Sequence, residues 1–269
     1  MTAPALTAAT GSRFLPATRV IARRSMLRYL RNPQTLFVSA VQGVAFMLIF
    51  RYAFGGAIDS GGLKYIDYLV PGVVTAGVLF SGGLSAVGVA EDAGGGFFDR
   101  FRSMPMPHSS ILIGRVLADT ALVAWATTAM VAVAFAVGFR VHTDVWSGVL
   151  AFGLVVLFGA AFVCVFTGLG MFAVGNPQAA QALGFLVLPL SFASSAFVPV
   201  QTMPGWLQAV AEYQPVTMVV NAARVLTQGQ PAEALLDESA AFYVWSALLW
   251  SAAIILVFGT MALVRISRR

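Results

Sequence analysis

Charged side chains are scarce in this sequence of 269 residues: Asp, Glu, Lys and Arg make up 10%, and Lys64 is the only lysine. Apolar residues reach 59%, and several runs of about eighteen residues or more carry almost no charge, which a water-soluble core does not need. The lysine does not follow a glycine-rich phosphate loop, which excludes ATP binding by that motif. Composition therefore predicts an all-α, polytopic membrane protein without an ATPase site of its own.

Cysteine and histidine are nearly absent as well. Cys164 is the one cysteine, which excludes an intrachain disulfide. His108 and His142 fall on opposite sides of the predicted membrane, so we predict no metal site. The net charge of +5 would suggest nucleic acid in a soluble protein, but here the arginines flank apolar runs and are not interleaved with aromatics. We therefore predict no nucleic-acid partner.

Six apolar runs are long enough to cross a membrane as helices. Pro and Gly punctuate the connections between them, and Pro189 is expected to kink the fifth run. We predict a single membrane domain over residues 1–269, beginning with a tail and an interfacial helix in residues 1–33. The predicted spans are residues 34–54, 69–90, 111–138, 147–174, 178–198 and 241–264.

The N-terminal region is basic and lacks an apolar run. Residues 1–16 are rich in Ala and Thr and are predicted to be disordered. Helical spacing over residues 17–31 separates an apolar face from a basic face, which is typical of a helix lying on an anionic membrane surface. The predicted apolar face holds Ala22, Met26, Tyr29 and Leu30, and the basic face holds Arg24, Arg28 and Arg31.

The basic residues are distributed unevenly about the six predicted spans. Twelve of the sixteen fall on the side that holds both termini and residues 91–110. Basic residues favour the cytoplasmic side, so we predict cytoplasmic termini in a bacterial inner membrane, with membrane lipid as a partner. The four basic residues on the other side are Arg51, Lys64, Arg140 and Arg224.

The polar stretch at residues 91–110 interrupts two long apolar runs. Gly94 to Gly96 allow the backbone to turn, and Pro105 and Pro107 prevent a continuous helix, so we predict a short helix over residues 97–103. Its mixed aromatic and charged character suits docking to a partner outside the membrane, although an ordinary solvated loop is an alternative. The predicted partner-coupling residues are Glu91, Phe97, Phe98, Asp99, Arg100, Phe101, Arg102 and Pro105.

Asp119 is the clearest acid inside a predicted span, and Arg115 precedes it by one helical turn. This spacing predicts an i,i+4 ion pair within the membrane. A proton-relay role for Asp119 is the alternative.

Residues 199–240 are too polar to cross a membrane, yet they carry regularly spaced apolar residues. We predict two short amphipathic helices that dip into the interface.

Two segments carry a resemblance to a known family. The first is Glu91…Gly96-Phe-Phe-Asp-Arg-Phe-Arg-Ser-Met-Pro105. The second is Phe197-Val-Pro…Met203-Pro-Gly-Trp-Leu…Gln214-Pro-Val…Asn221-Ala-Ala-Arg224. With the six-span plan, they resemble the membrane (permease) subunit of type 2 ABC exporters, and most closely the daunorubicin-resistance-like drug-efflux permeases.

The resemblance implies an assembly of two permease subunits, expected to be a homodimer, with two cytoplasmic ATPase subunits that bind ATP and Mg²⁺. Residues 91–110 would be the coupling segment and residues 199–240 an extracellular re-entrant hairpin. Export of amphiphilic drugs or lipids is then expected; the alternatives are a polysaccharide or lipid-linked glycan as cargo, or an ATP-independent secondary carrier. Candidate residues for the substrate path are Phe80, Phe185, Phe192 and Phe197.

Overall fold

The computed structural model describes residues 10–55, 62–96 and 107–268, and these ranges contain helices and turns but no strand. The long helices are α1 (Thr10–Arg31), α2 (Pro33–Ala53), α3 (Tyr65–Gly94), α4 (His108–Ala136), α5 (Val145–Gly170) and α11 (Ala240–Arg268). The shorter helices are α6 (Pro177–Leu183), α7 (Val187–Phe192), α8 (Gly205–Tyr213), α9 (Pro215–Gln228) and α10 (Gln230–Glu233).

Five helices, α2, α3, α4, α5 and α11, are long and apolar enough to cross a membrane. This confirms the predicted class of an all-α polytopic membrane protein. Helix α3 is the central one, because 78% of its most apolar window is buried, against 17% for α2 and for α11. It packs against α2, α4, α5, α6 and α9.

The predicted fifth span, residues 178–198, is shorter than predicted and contains a 3₁₀ turn one turn before Pro189, the residue expected to kink it. Helix α6 is followed by a 3₁₀ turn at Gly184–Leu186, and α7 ends at Phe192, six residues before the predicted end. Pro189 has no N–H to donate to the carbonyl of Phe185, which weakens the helix at this turn. The helical run from Pro177 to Phe192 rises about 24 Å, less than the thickness of a hydrocarbon core.

The segment predicted as a hairpin, residues 199–240, contains helices α8, α9 and α10. Helix α8 has an exposed apolar face formed by Trp206, Val210 and Tyr213, as expected at an interface. Helix α9 differs from the prediction, because nearly all of its residues are buried between α3, α5 and α11. Most residues of α9 are apolar, among them Val219, Val220 and the alanines that follow, and this composition favours burial inside the bundle.

Helix α1 begins at Thr10, seven residues before the predicted start, and Pro16 lies inside it. Its buried face includes Ala17, Thr18, Ile21 and Ser25, packed on α4. Met26 and Leu30, of the predicted apolar face, point away from the bundle, so their contact with a membrane stays a prediction. Gly114 of α4 allows the close approach of α1, since an added Cβ would come within 2.9 Å of the Ile21 side chain.

Candidate functional site

The connection from α3 to α4 carries most of the predicted coupling residues. Helix α3 continues through Gly94, the Gly95 N–H donates to Glu91 O, and Gly96 has a φ of +69°, which favours glycine. Glu91 is exposed on the last turn of α3. The other predicted coupling residues lie outside the described ranges, so their role stays a prediction: Phe97, Phe98, Asp99, Arg100, Phe101, Arg102 and Pro105.

A network of ion pairs joins the two helices that flank this connection. Asp92, at the end of α3, accepts a hydrogen bond from Arg28 Nη1 of α1 at 3.1 Å and another from Arg115 Nη1 of α4. Arg115 Nε donates to Asp119 Oδ2 at 3.4 Å, so the predicted i,i+4 pair is part of a larger group. The Tyr29 hydroxyl donates to Asp119 Oδ1. We call these five residues the Asp92 network.

The Asp92 network is largely buried and electrically balanced. Arg115 is 4% exposed and Asp119 is 2% exposed, and such burial is tolerable because the two arginines and two aspartates cancel in formal charge. A Cβ at Gly88 would overlap Arg115 Nη2, so the missing side chain makes room for the guanidinium. Burial, and then the nearby Asp119 carboxylate, raises the pKa of the Tyr29 hydroxyl, which therefore stays a donor.

A second buried arginine, Arg224 of α9, lies near the other end of α3. Its side chain is 1% exposed. Nε and Nη2 each donate to Tyr68 O at 3.3 Å, Nη2 donates to Ser195 O at 2.9 Å, and Nη1 donates to Asn221 Oδ1 at 2.9 Å. The guanidinium carbon lies 3.8 Å from the centroid of the Tyr68 ring. No carboxylate of the described residues forms an ion pair with it.

Hydrogen bonds to α9 and a close backbone contact with α3 hold the turn after α7 beside Arg224. The Ser195 N–H donates to Thr217 Oγ1 at 3.2 Å, and Ser195 Oγ donates to Asn221 Oδ1 at 2.9 Å. On α3, the Ala196 carbonyl occupies the position that a side chain at Gly72 would need. We call Tyr68, Ser195, Thr217, Asn221 and Arg224 the Arg224 network.

An aromatic cluster lies between α2, α3 and the turn after α7. Phe50 and Phe197 stack with ring centroids 4.7 Å apart, and Phe192 and Phe197 stack at 4.9 Å. Phe46 joins Phe80 to the group, with 5.9 Å between their centroids. Aromatic rings favour stacked and edge-to-face contacts with other rings.

Three of the four phenylalanines predicted for a substrate path belong to this cluster. Phe197 is buried, whereas Phe192 is 48% exposed and gives the cluster an open edge. Phe185 lies apart, 68% exposed on the 3₁₀ turn between α6 and α7.

A cavity of about 600 Å³ adjoins the aromatic cluster through the turn that contains Phe197. Ser195, Pro199 and Val200 on either side of that turn line the cavity, and Arg224 forms part of its wall. The cavity and the cluster are therefore connected by a few residues of the same turn.

Comparison with known proteins decides the family. The family model described as ABC-2 type transporter matches residues 16–227. The chain belongs to this family. It is thus a permease, the membrane component of such a transporter and not its ATPase.

Several relatives are similar to this permease over most of its length. The daunorubicin resistance ABC transporter permease protein DrrB1 of Streptomyces coeruleorubidus is 32% identical over 209 residues, which cover 77% of this chain and 73% of the relative. The probable doxorubicin resistance ABC transporter permease protein DrrC of Mycobacterium tuberculosis is 23% identical, covering 87% and 84%. The inner membrane transport permease YadH of Escherichia coli is 24% identical, covering 77% and 81%.

The sequence of the permease predicts only part of either network. Arg115 and Asp119 are one turn apart and form a local signal, but Arg28 and Asp92 are distant in sequence and nothing local points to their meeting. The signal for Arg224 is its position among Val and Ala residues on α9, since an arginine there needs buried acceptors. The matched range, residues 16–227, contains every residue of both networks.

Proposed function

We propose that this permease is the membrane-spanning subunit of an ATP-driven exporter that moves amphiphilic drugs or lipids out of the cytoplasm or the inner leaflet. The observation that carries the proposal is the 32% identity, over 77% of the chain, to a permease named for daunorubicin resistance. The open edge of the aromatic cluster at Phe192 supports a substrate with a planar aromatic part.

The energy comes from a partner ATPase, as the family implies. In our proposal two copies of that ATPase bind ATP and Mg²⁺ and act on two copies of the permease, a homodimer. Both termini and residues 91–110 face the cytoplasm of a bacterial cell membrane, which the distribution of basic residues supports.

The Asp92 network gives the coupling a physical route. Residues 97–106 receive the movement of the ATPase, and Asp92 lies five residues before that segment. Because Asp92 is bound to Arg28 of α1 and Arg115 of α4, movement of the segment is passed to three helices together. The substrate then passes along the aromatic cluster to the cavity beside Arg224.

The coupling proposal is tested with the double variant Phe101→Ala/Arg102→Glu, co-expressed with the partner ATPase and reconstituted in lipid vesicles. Loss of an aromatic anchor and reversal of a charge at an interface typically cost about 2 kcal/mol or more, so co-purification of the ATPase and ATP-driven daunorubicin transport should both fall at least tenfold. Asp99→Ala, in the same segment, should have a smaller effect if Asp99 only caps the short helix, because a helix cap contributes about 1 kcal/mol. Wild-type values for the double variant would show that the segment is an ordinary loop.

The substrate path is tested in the same vesicles with Phe192→Ala and Phe185→Ala. Each variant removes one phenylalanine side chain, which is half-exposed at Phe192 and more exposed at Phe185, but only Phe192 belongs to the aromatic cluster. We expect the KM for daunorubicin to rise in Phe192→Ala alone. Equal effects would place the path elsewhere, and transport that persists without ATP would overturn the exporter itself.

A further inference from the structure

A basic groove runs along α1 and shares Arg28 with the Asp92 network. It has a volume of about 610 Å³, and four arginines line it together with two aliphatic side chains and Asn32. No acidic side chain is among the described residues that line it. The arginines are Arg23, Arg24, Arg28 and Arg31, and the aliphatic residues are Val20 and Leu27.

Helical geometry arranges this lining as an apolar floor with a basic edge. Val20 and Leu27 are seven residues apart, so they lie on one side of α1 two turns from each other. Arg24, Arg28 and Arg31 follow the i, i+4, i+7 pattern and form an adjacent row. An anionic head with an apolar continuation fits such a surface.

The location of the groove selects its occupant. Arg31 is separated by one residue from Pro33, where the apolar span α2 begins, so the groove lies at the level at which that span leaves the membrane. Val20, one of the two aliphatic side chains of the groove, is 66% exposed, which suits the headgroup layer better than water. A phospholipid whose headgroup carries net negative charge offers an anion to the arginines and an apolar chain to the aliphatic floor, and it is present at the membrane surface where the groove lies.

Arg28 connects the groove with the Asp92 network. Its side chain is 37% exposed and lines the groove, while its Nη1 donates to Asp92 Oδ1 at 3.1 Å. A phosphate in the groove offers Arg28 a second anionic acceptor, in competition with Asp92. We propose that the groove binds the phosphate of an anionic phospholipid and that Arg28, shared between this phosphate and Asp92, makes the Asp92 network sensitive to the lipid.

Binding is tested with the purified full-length permease in phosphatidylcholine nanodiscs, into which phosphatidylglycerol is titrated and its retention measured by native mass spectrometry. Each basic residue beside an anionic surface contributes about a fivefold gain in binding, so Arg23→Gln/Arg31→Gln should bind phosphatidylglycerol at least tenfold more weakly than wild type. The matched control is Arg19→Gln, an exposed arginine of the same helix outside the groove. A loss for Arg19→Gln equal to the loss per arginine in the double variant would mean diffuse charge and overturn the site.

The source of the phosphate is distinguished by competition. Inorganic phosphate at millimolar concentration should leave phosphatidylglycerol bound if the aliphatic floor takes part, and displacement would overturn the lipid as occupant. If Arg23→Gln/Arg31→Gln keeps its lipid but loses the ATPase on co-purification, the groove is a protein-docking surface and the proposal fails.

The link through Arg28 is tested with Asp92→Asn, which removes the competing negative charge and leaves only a neutral acceptor. We expect phosphatidylglycerol to bind several-fold more tightly to this variant, and Arg28→Gln to bind it more weakly. Unchanged binding in a folded Asp92→Asn protein would break the link. The two lipid-binding measurements do not involve the ATPase. Failure of the proposed export activity would therefore leave them unchanged, and failure of the lipid site would leave the export proposal unchanged.

Discussion

The two buried arginines at the ends of α3 are satisfied in opposite ways. Arg115 pairs with two carboxylates, those of Asp92 and Asp119. Arg224 has no ionic partner among the described residues and instead donates to two backbone carbonyls and an amide oxygen, beneath the ring of Tyr68. Both side chains are almost completely buried, so the difference lies in the chemistry of their acceptors.

This difference indicates which end of α3 can change its side-chain contacts. A carboxylate can be drawn away by another cation, and an arginine by another anion, so the groups of the Asp92 network can exchange partners. A backbone carbonyl moves only with its helix, so the Arg224 network holds the start of α3, the turn after α7 and α9 in one arrangement. We therefore expect the Arg224 end of α3 to determine the stability of the fold, and the Asp92 end to determine how the permease responds to movement of residues 97–106.

The largest effect is expected for Arg224→Met. The change removes the charged donor from Tyr68 O, Ser195 O and Asn221 Oδ1, and Ser195 O keeps only the Tyr68 hydroxyl, at 3.5 Å. Hydrogen bonds from charged groups contribute about 1.5 to 3 kcal/mol each, so we expect a loss of at least about 3 kcal/mol. Unfolding in SDS, followed by tryptophan fluorescence, measures it. Arg224→Lys is the matched control and should recover only part of the loss, because an ammonium group cannot reproduce the fork of the guanidinium. A Met variant as stable as wild type would mean that the network has no structural role.

An intermediate effect is expected for Asp92→Asn, about 2 kcal/mol, because Arg115 keeps Asp119 as a partner. Adding Arg115→Gln removes a positive charge and restores the balance of the remaining groups. The double variant should therefore be more stable, by about 1 kcal/mol, than the sum of the two single changes predicts. Additive losses in the same SDS titrations would show that the charges of the Asp92 network act independently.

The smallest effect is expected for Thr217→Val, which deletes one neutral acceptor from the Arg224 network while keeping a similar shape. The Ser195 N–H loses its partner, and we expect a loss of about 1 kcal/mol. Thr128→Val is the control, since the exposed Thr128 hydroxyl bonds only within its own helix, to Ala124 O. If the two variants lose equal stability, the buried hydrogen bond adds nothing beyond helix propensity.

The sequence predicts the long helices well because their apolar runs are continuous and end at proline, glycine or charge. It predicts the boundaries less well where a tertiary contact decides them: Gly72 admits the Ala196 carbonyl, and that contact belongs to a turn inside the predicted fifth span, residues 178–198. The burial of α9 was also missed, because its polar residues find partners only on α3 and on the turn after α7. The pair of Arg115 and Asp119 could be predicted from spacing, whereas Arg28 and Asp92 meet only in the folded chain.

Helix α3 joins the two arginine networks as one continuous rod. At 1.5 Å per residue, the distance from Tyr68 to Asp92 is about 36 Å. With Tyr68 held by Arg224, α3 turns about one fixed end, and a tilt of about five degrees moves Asp92 by about 3 Å. That displacement is comparable to the length of the Arg28–Asp92 contact itself, so a small rotation is sufficient to exchange the partners of Asp92. We therefore expect α3 to pivot at Arg224, which forms no ion pair with a carboxylate of the described residues.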